Sequence, residues 1–223
     1  MQSTFTTAGF QIVDTILTSD ECDAVGAEVA RCSSRSGGTR SLLEERWCLA
    51  LAHRLRTHPA LSVCLPHDYV ATQCTFFEKT TSKNWLVPVH QDLSISVQAR
   101  VEAPCLTGWS EKEGSLFVHA PTEELERLVA VRLHIDPCNE QDGPLKVVPG
   151  THGLGVIGPA AAVELRRSGA EVPCVAAKGS ALVMRPLLLH SSSKASGSGR
   201  RRVLHFLYGP RELPYGLAWR IAA

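Results

Sequence analysis

No stretch of this 223-residue chain holds an apolar run of about 18 residues, the length that reads as a membrane-spanning helix. Its first residues, MQSTFTTAGFQIVDTILTSDE, lack the basic start and unbroken apolar core of a signal peptide. The expectation is a soluble, cytoplasmic protein with no membrane partner. Neither sign of charge is in excess: Lys and Arg number 23, Asp and Glu 22, and the net charge is +1. That balance is too even to neutralise phosphates across a whole face, so no nucleic-acid partner is expected. Eight cysteines are spread singly, with no CxxC pair and no clustering with histidine. A disulfide framework or zinc-thiolate site is therefore not expected, and the thiols read as ordinary residues of a reducing compartment. Internal repeats are absent as well.

What is present is a chain long enough, at 44% hydrophobic, for one sizeable core. We expect a single domain over 1–223, with a mostly helical part at 1–68 packed on a barrel at 69–210. Thr18-x-x-Glu21 is a capping-box pattern, and Cys22, Val25 and Val29 follow at helical spacing, which predicts a helix from about Ser19 to Arg31. Gly26 is out of character there. After a loop at SSRSGGTR, Ser41-x-x-Glu44 offers a second box, and Leu43, Trp47, Leu51 and Leu55 recur every fourth position up to Pro59.

From Tyr69 onward the pattern changes to short runs rich in Val, Ile, Thr and Phe: YVATQCTFF, LSISVQ, VAVRLHI, LKVVP, ALVMR and VLHFLY. Two helical interruptions are predicted, PTEELERL and PAAAVELRRSG, while GSLFVHAP and SSSKASGSGRRR read as loops. Mainly β structure with flanking helices favours a sandwich or jelly-roll barrel over a parallel α/β sheet.

His90-Gln91-Asp92 places two good metal ligands two positions apart, on one face of an extended strand. On its own such a tripeptide is more often solvated or structural. His190 follows the apolar run Leu187-Leu188-Leu189 and is the candidate third ligand, although a lone histidine there would read as a core residue. Two histidines and one carboxylate leave half of an octahedral ion open, the arrangement of non-haem Fe(II) oxygenases. Among Arg200, Arg201 and Arg202, one is expected to return beside His190 and grip a carboxylate in bidentate fashion, the others being solvated. Ser192 would share the face of His190 and add a hydroxyl.

Together these residues resemble the phytanoyl-CoA dioxygenase-like family of Fe(II)/2-oxoglutarate-dependent oxygenases. Asn84-Trp85-Leu86-Val87-Pro88-Val89-His90-Gln91-Asp92 is similar to its first ligand strand, and Asp142-Gly143-Pro144-Leu145-Lys146-Val147-Val148-Pro149-Gly150-Thr151-His152 to its "NGPL.V.PGSH" segment. The block from Lys178 to His190 resembles its closing strand, so that the likeness runs from roughly Gln73 to Tyr208. The resemblance implies a double-stranded β-helix (cupin-like) barrel. It implies iron held by His90, Asp92 and His190, and the far carboxylate of 2-oxoglutarate held by Arg201 beside Ser192, with Lys79 and Gln73 as further co-substrate contacts. It implies a dioxygenase that hydroxylates an aliphatic C–H of a small molecule, consuming O₂ and 2-oxoglutarate and releasing succinate and CO₂. Because Asp92 is present, the related halogenases, which lack this carboxylate, are disfavoured.

Other residues carry less. Trp85, Trp109 and Phe117 read as pocket lining or packing, and Arg40 as a solvated or structural arginine. His134 and His205 read as buried, hydrogen-bonded histidines, and His119 and His152 as surface residues. Two other readings stay open, a non-catalytic barrel that binds without turnover and a cupin-like metalloenzyme that does not use 2-oxoglutarate.

Overall fold

The computed structural model describes residues 4–32 and 38–223. In chain order the helices are α1 (Thr4–Ala8), α2 (Ser19–Cys32), α3 (Arg46–Thr57), α4 (Thr122–Arg127) and α5 (Pro159–Ser168). The strands are β1 (Phe10–Val13), β2 (Gly38–Thr39), β3 (Val70–Lys79), β4 (Val87–His90), β5 (Ser94–Val97), β6 (Thr107–Lys112) and β7 (Ser115–His119), then β8 (Val129–His134), β9 (Leu145–Val147), β10 (Val172–Cys174), β11 (Ala181–Met184), β12 (His190–Ser192) and β13 (Arg201–Gly209). They build a six-stranded sheet, β1-β11-β8-β13-β3-β2, a four-stranded sheet, β10-β9-β12-β4, and a three-stranded sheet, β5-β7-β6. Every strand pairing is antiparallel. This is the double-stranded β-helix expected from the sequence.

The six-stranded sheet is buried on both faces, which is why β8, β11 and β13 read as nearly continuous apolar runs. Val131, Leu133, Leu204, Phe206 and Phe76 point outward into a core shared with Val29 of α2 and Leu51 and Leu55 of α3. Ala130, Leu182, Met184 and Leu207 point inward, toward Leu145 and Val147 of the four-stranded sheet. A fully buried leucine contributes about 1.5–3 kcal/mol. An exposed helical pair such as Arg167–Glu164 contributes roughly 0.2–0.5 kcal/mol, so packing on the sheet dominates the helices' stability.

At the start of α2 the capping box forms as written: Glu21 N–H donates to Thr18 Oγ1 at 3.3 Å, and Thr18 N–H to Glu21 Oε2 at 2.8 Å. Gly26 faces Arg202, whose Nη1 would lie 2.6 Å from a Cβ added there. A side chain there would require the Arg202 guanidinium to shift.

Several expectations fail in instructive ways. The first sixty residues are not all helical, since Phe10–Val13 pairs with β11. The second capping box does not form: Ser41 bridges Cys74 of β3, Glu44 pairs with Arg220, and Glu45 is extended, so the long helix begins at Arg46. GSLFVHAP is not a loop but β7, the centre of the three-stranded sheet. The ends of SSSKASGSGRRR belong to β12 and β13. Of SSRSGGTR, residues 33–37 lie outside the described residues, and Gly38–Thr39 forms β2. No described helix is long and apolar enough to cross a membrane.

Thr18→Ala should lower stability by about 1 kcal/mol, the usual cost of losing such a cap, measured by urea unfolding. An unchanged midpoint would show that the cap contributes nothing. Arg54 and Thr18 pull the Glu21 carboxyl from 4.5 to about 2, so its contribution is present above pH 4.5 and lost as the pH falls through 2.

Candidate metal centre

A cavity of about 410 Å³ opens between the sheets and is lined by residues from β3, β4, β7, β12 and β13. Alternation along β3 turns Gln73, Thr75, Phe77 and Lys79 into it, while Cys74 and Phe76 point to the outer core. Arg201, His205 and Leu207 of β13 face the same space.

Antiparallel pairing of β12 with β4 sets His190 opposite His90, and the ring centroids are 4.2 Å apart. Asp92 lies just past the end of β4. Its position is fixed through Gln91, which is buried and donates to the carbonyls of Leu187 at 2.6 Å and Gly155 at 2.8 Å, while accepting from Ile157 N–H at 2.7 Å. Asp92 N–H donates to Pro186 O at 2.9 Å. His90, Asp92 and His190 form a cluster whose ligand atoms all lie within 4.8 Å of one another.

The protonation of these histidines follows from their partners. His90 Nδ1 is 2.8 Å from Pro88 O and His190 Nδ1 is 2.8 Å from Leu188 O, and a carbonyl can only accept. In each ring Nδ1 is thus the donor, and Nε2 is left facing Asp92. His90 Nε2 is 3.7 Å from Asp92 Oδ1, and His190 Nε2 is 3.7 Å from Asp92 Oδ2. These distances exceed a hydrogen bond. Burial keeps His190 neutral by pulling it down to about 4. Two imidazole nitrogens and a carboxylate therefore converge at one point, a donor set that a bound cation would satisfy. Two imidazole nitrogens and a carboxylate, open toward the cavity, fit an Fe(II)-type facial site.

His205 presents the opposite tautomer. Arg132 Nη1 donates to its Nδ1 at 3.2 Å, so the proton sits on Nε2, 3.8 Å from Asp92 Oδ2. It is directed at the carboxylate as a donor and is not a ligand. The expectation of a buried, hydrogen-bonded histidine was correct for His205 but missed its place beside Asp92, and nothing local in VLHFLY signals that contact. For His134 the burial is correct, but Nδ1 has no partner.

The other end of the cavity is cationic. Lys79, 1% exposed, donates to Ser192 Oγ at 2.7 Å and to Ser193 O. Arg201, 4% exposed, donates to Gly143 O, which also accepts from Ser192 Oγ at 3.0 Å. Gly143 has φ +63°, and a Cβ there would lie 2.5 Å from Ser193 O, so only glycine fits this close approach. Burial, helped by Arg201 and Arg132, pulls the Lys79 ammonium down to about 8. Of the three adjacent arginines only Arg201 lines the cavity. Arg202 lies under α2 with two bonds to Asp136, at 2.7 and 2.8 Å, and Arg200 is exposed.

All seven candidate residues line the cavity: His90, Asp92, His190, Arg201, Ser192, Lys79 and Gln73. Trp85, Phe117 and His119 line it too. His119, expected as a surface residue, ends β7. Arg40 stands at the rim, paired with Glu113 at 2.7 Å. Trp109 lies against Arg100 instead.

The profile of the phytanoyl-CoA dioxygenase (PhyH) family matches residues 5–203, extending the likeness through the helical segment that the motifs did not cover. No curated protein matches the chain in sequence. Among solved structures, HygX from Streptomyces hygroscopicus with nickel and 2-oxoglutarate bound is 17% identical, with a TM-score of 0.66 over 95% of this chain and 86% of that one. The epimerase SnoN with Fe3+, alpha ketoglutarate and nogalamycin RO is 14% identical, with a TM-score of 0.69 over 95% and 84%. EctD from S. alaskensis with bound Fe is 16% identical, with a TM-score of 0.70 over 98% and 82%. At these identities the structural likeness establishes the shared fold, and the profile match over most of the length establishes that the chain belongs to the phytanoyl-CoA dioxygenase family.

Proposed function

We propose that this protein is an Fe(II)- and 2-oxoglutarate-dependent dioxygenase that hydroxylates an aliphatic C–H bond of a small-molecule substrate, with residues 1–223 acting as one catalytic domain. The observation that carries this reading is the convergence of His90 Nε2, His190 Nε2 and the Asp92 carboxylate at one end of a cavity whose other end holds Lys79 and Arg201. A metal at the first end and a dicarboxylate reaching to the second would satisfy both. Neighbours of the same fold with iron or with 2-oxoglutarate bound support the choice of ligands.

His90, Asp92 and His190 hold the metal. Pro88 O and Leu188 O keep the two imidazoles in the ligating tautomer. Arg201 and Lys79 grip the far carboxylate of 2-oxoglutarate, and Ser192 sits beside them, its hydroxyl turning from Gly143 O to reach the same carboxylate. Gln73, bonded to Thr75 at 2.9 Å, lines the same cavity as a further co-substrate contact. Iron with 2-oxoglutarate and O₂ supplies oxidative decarboxylation to succinate and CO₂, coupled to oxidation of the substrate. The chain's own part is to orient the bound molecules and keep bulk water out. Trp85, Phe117 and Arg40 line a space sized for a small molecule.

Adding Fe(II) and then 2-oxoglutarate without O₂ should produce a weak visible charge-transfer band. Arg201→Ala should weaken the affinity read from that band by roughly tenfold or more. Iron bound with no band would favour a metalloenzyme that does not use 2-oxoglutarate, and no iron binding would favour a non-catalytic barrel. His90→Ala, Asp92→Ala and His190→Ala should each abolish iron-dependent succinate formation. Unchanged turnover in any one of them removes that residue from the ligand set.

The Lys79 ammonium, facing Arg201, Arg132 and the Cys138 thiol, is charged below pH 8 and neutral above it. Affinity for 2-oxoglutarate should therefore fall as the pH rises through 8, and Lys79→Met should flatten that fall. An equally steep profile in the variant would assign the titration to another group.

A further inference from the structure

Arg132 has no part in the assignments above, yet it lines the same cavity and is 7% exposed. Among the described residues, no carboxylate lies within ion-pair distance of Arg132, Arg201 or Lys79. A buried cation without a counterion is costly unless a ligand supplies the charge. Two of these three cations are matched to the far carboxylate of a 2-oxo acid. The third requires a second anion.

Its position identifies which one. On the sheet, Arg132 lies opposite His205, and Arg201 lies opposite Lys79, four residues farther along β13. The guanidinium is hydrogen-bonded to His205 and stacks 5.3 Å from the centroid of Phe77, which precedes Lys79 by two residues on β3. Arg132 thus leans from the His205 row toward the Lys79–Arg201 row. The His205 row is the metal end, because His205 Nε2 is 3.8 Å from Asp92. The guanidinium therefore stands between the far-carboxylate anchor and the metal ligands, alongside the path a bound 2-oxo acid must take. It is not beyond the metal, where a substrate would enter.

Resting on the proposed use of 2-oxoglutarate, we infer that Arg132 clamps the metal-proximal carboxylate of the 2-oxo acid, so that the co-substrate is held by arginine at both ends. His205 is the positioning residue: its Nδ1 accepts from Nη1 and fixes the rotation of the guanidinium, while its Nε2–H faces Asp92. Phe77 supports the planar cation from below.

The test compares 2-oxoglutarate with 2-oxopentanoate, which has the same chain length and keeps only the near carboxylate. Each is titrated into Fe(II)-loaded protein without O₂, following the charge-transfer band. Arg132→Met should weaken both acids by about tenfold or more, the scale of a charge-assisted hydrogen bond. Arg201→Met should weaken 2-oxoglutarate alone. Arg132→Lys, which keeps the charge, should recover part of the loss and serves if the methionine variant does not fold. Thermal unfolding and Fe(II) affinity of each variant separate a lost clamp from a damaged barrel. Wild-type affinity for both acids in Arg132→Met overturns the inference, as does a loss confined to 2-oxoglutarate, which would assign Arg132 to the far end. A wild type that takes 2-oxoglutarate but never 2-oxopentanoate overturns it too, because a near-end clamp must hold either acid. A wild type that shows a band with neither removes the 2-oxo acid reading itself.

Discussion

When β12 pairs with β4, His190 falls opposite His90, and a slip of one residue in that register would turn one imidazole out of the cavity. The pairing is short, with only His190 and Ser192 in register against β4 and a bulge between them. It is held from outside. β9 pairs with the other edge of β12, and Thr151 Oγ1 accepts from Leu189 N–H at 3.0 Å, tying the approach to His190 to the turn after β9. Gln91 does the same for the other side, joining the ligand segment to three separate backbone groups. The acceptor cluster is thus fixed by backbone hydrogen bonds before any ligand arrives, which is the preorganisation a metal centre needs.

Charge in this barrel is arranged against the ordinary preference of protein interiors. Lys79, Arg132 and Arg201 are all at least nine-tenths buried on one wall, and among carboxylates it is the charge of Asp92 that bears on Arg132. The cost of holding them there is met by the core on both faces of the six-stranded sheet. The sheet is rigid because helices α2 and α3 cover its outer face. Arg202, next in sequence to Arg201, points the other way, to Asp136 beneath α2. One residue of strand alternation separates a cation paired beneath a helix from a cation turned into the cavity.

The sequence made the outline of this site legible where the signal was local. The spacing of His90 and Asp92, the apolar run before His190 and the glycine of Asp142-Gly143 each carry their meaning in a few adjacent residues. Strand periodicity in YVATQCTFF and helical periodicity around Leu51 and Leu55 likewise survived into the fold. What failed depended on distant partners. Ser41 would cap a helix if Cys74 did not draw it into a bridge, and Leu116–Val118 is a strand because β5 and β6 flank it. The role of His205 was invisible for the same reason, since Arg132 and Asp92 come to it from two other elements. Choosing Arg201 among three arginines needed the strand's phase, which an arginine run does not reveal.

The side chains of His90 and Asp92 are 38% and 39% exposed, whereas that of His190 is 5% exposed. Two of the three ligating groups therefore meet solvent directly, and an ion can arrive or leave through the mouth without any strand separating. A metal held there would be open to exchange through the mouth. Any first-row divalent ion that accepts two imidazoles and a carboxylate would then compete for it, and copper or nickel would win on intrinsic affinity. The identity of a resident ion would then depend on the surrounding metal supply as much as on the chain.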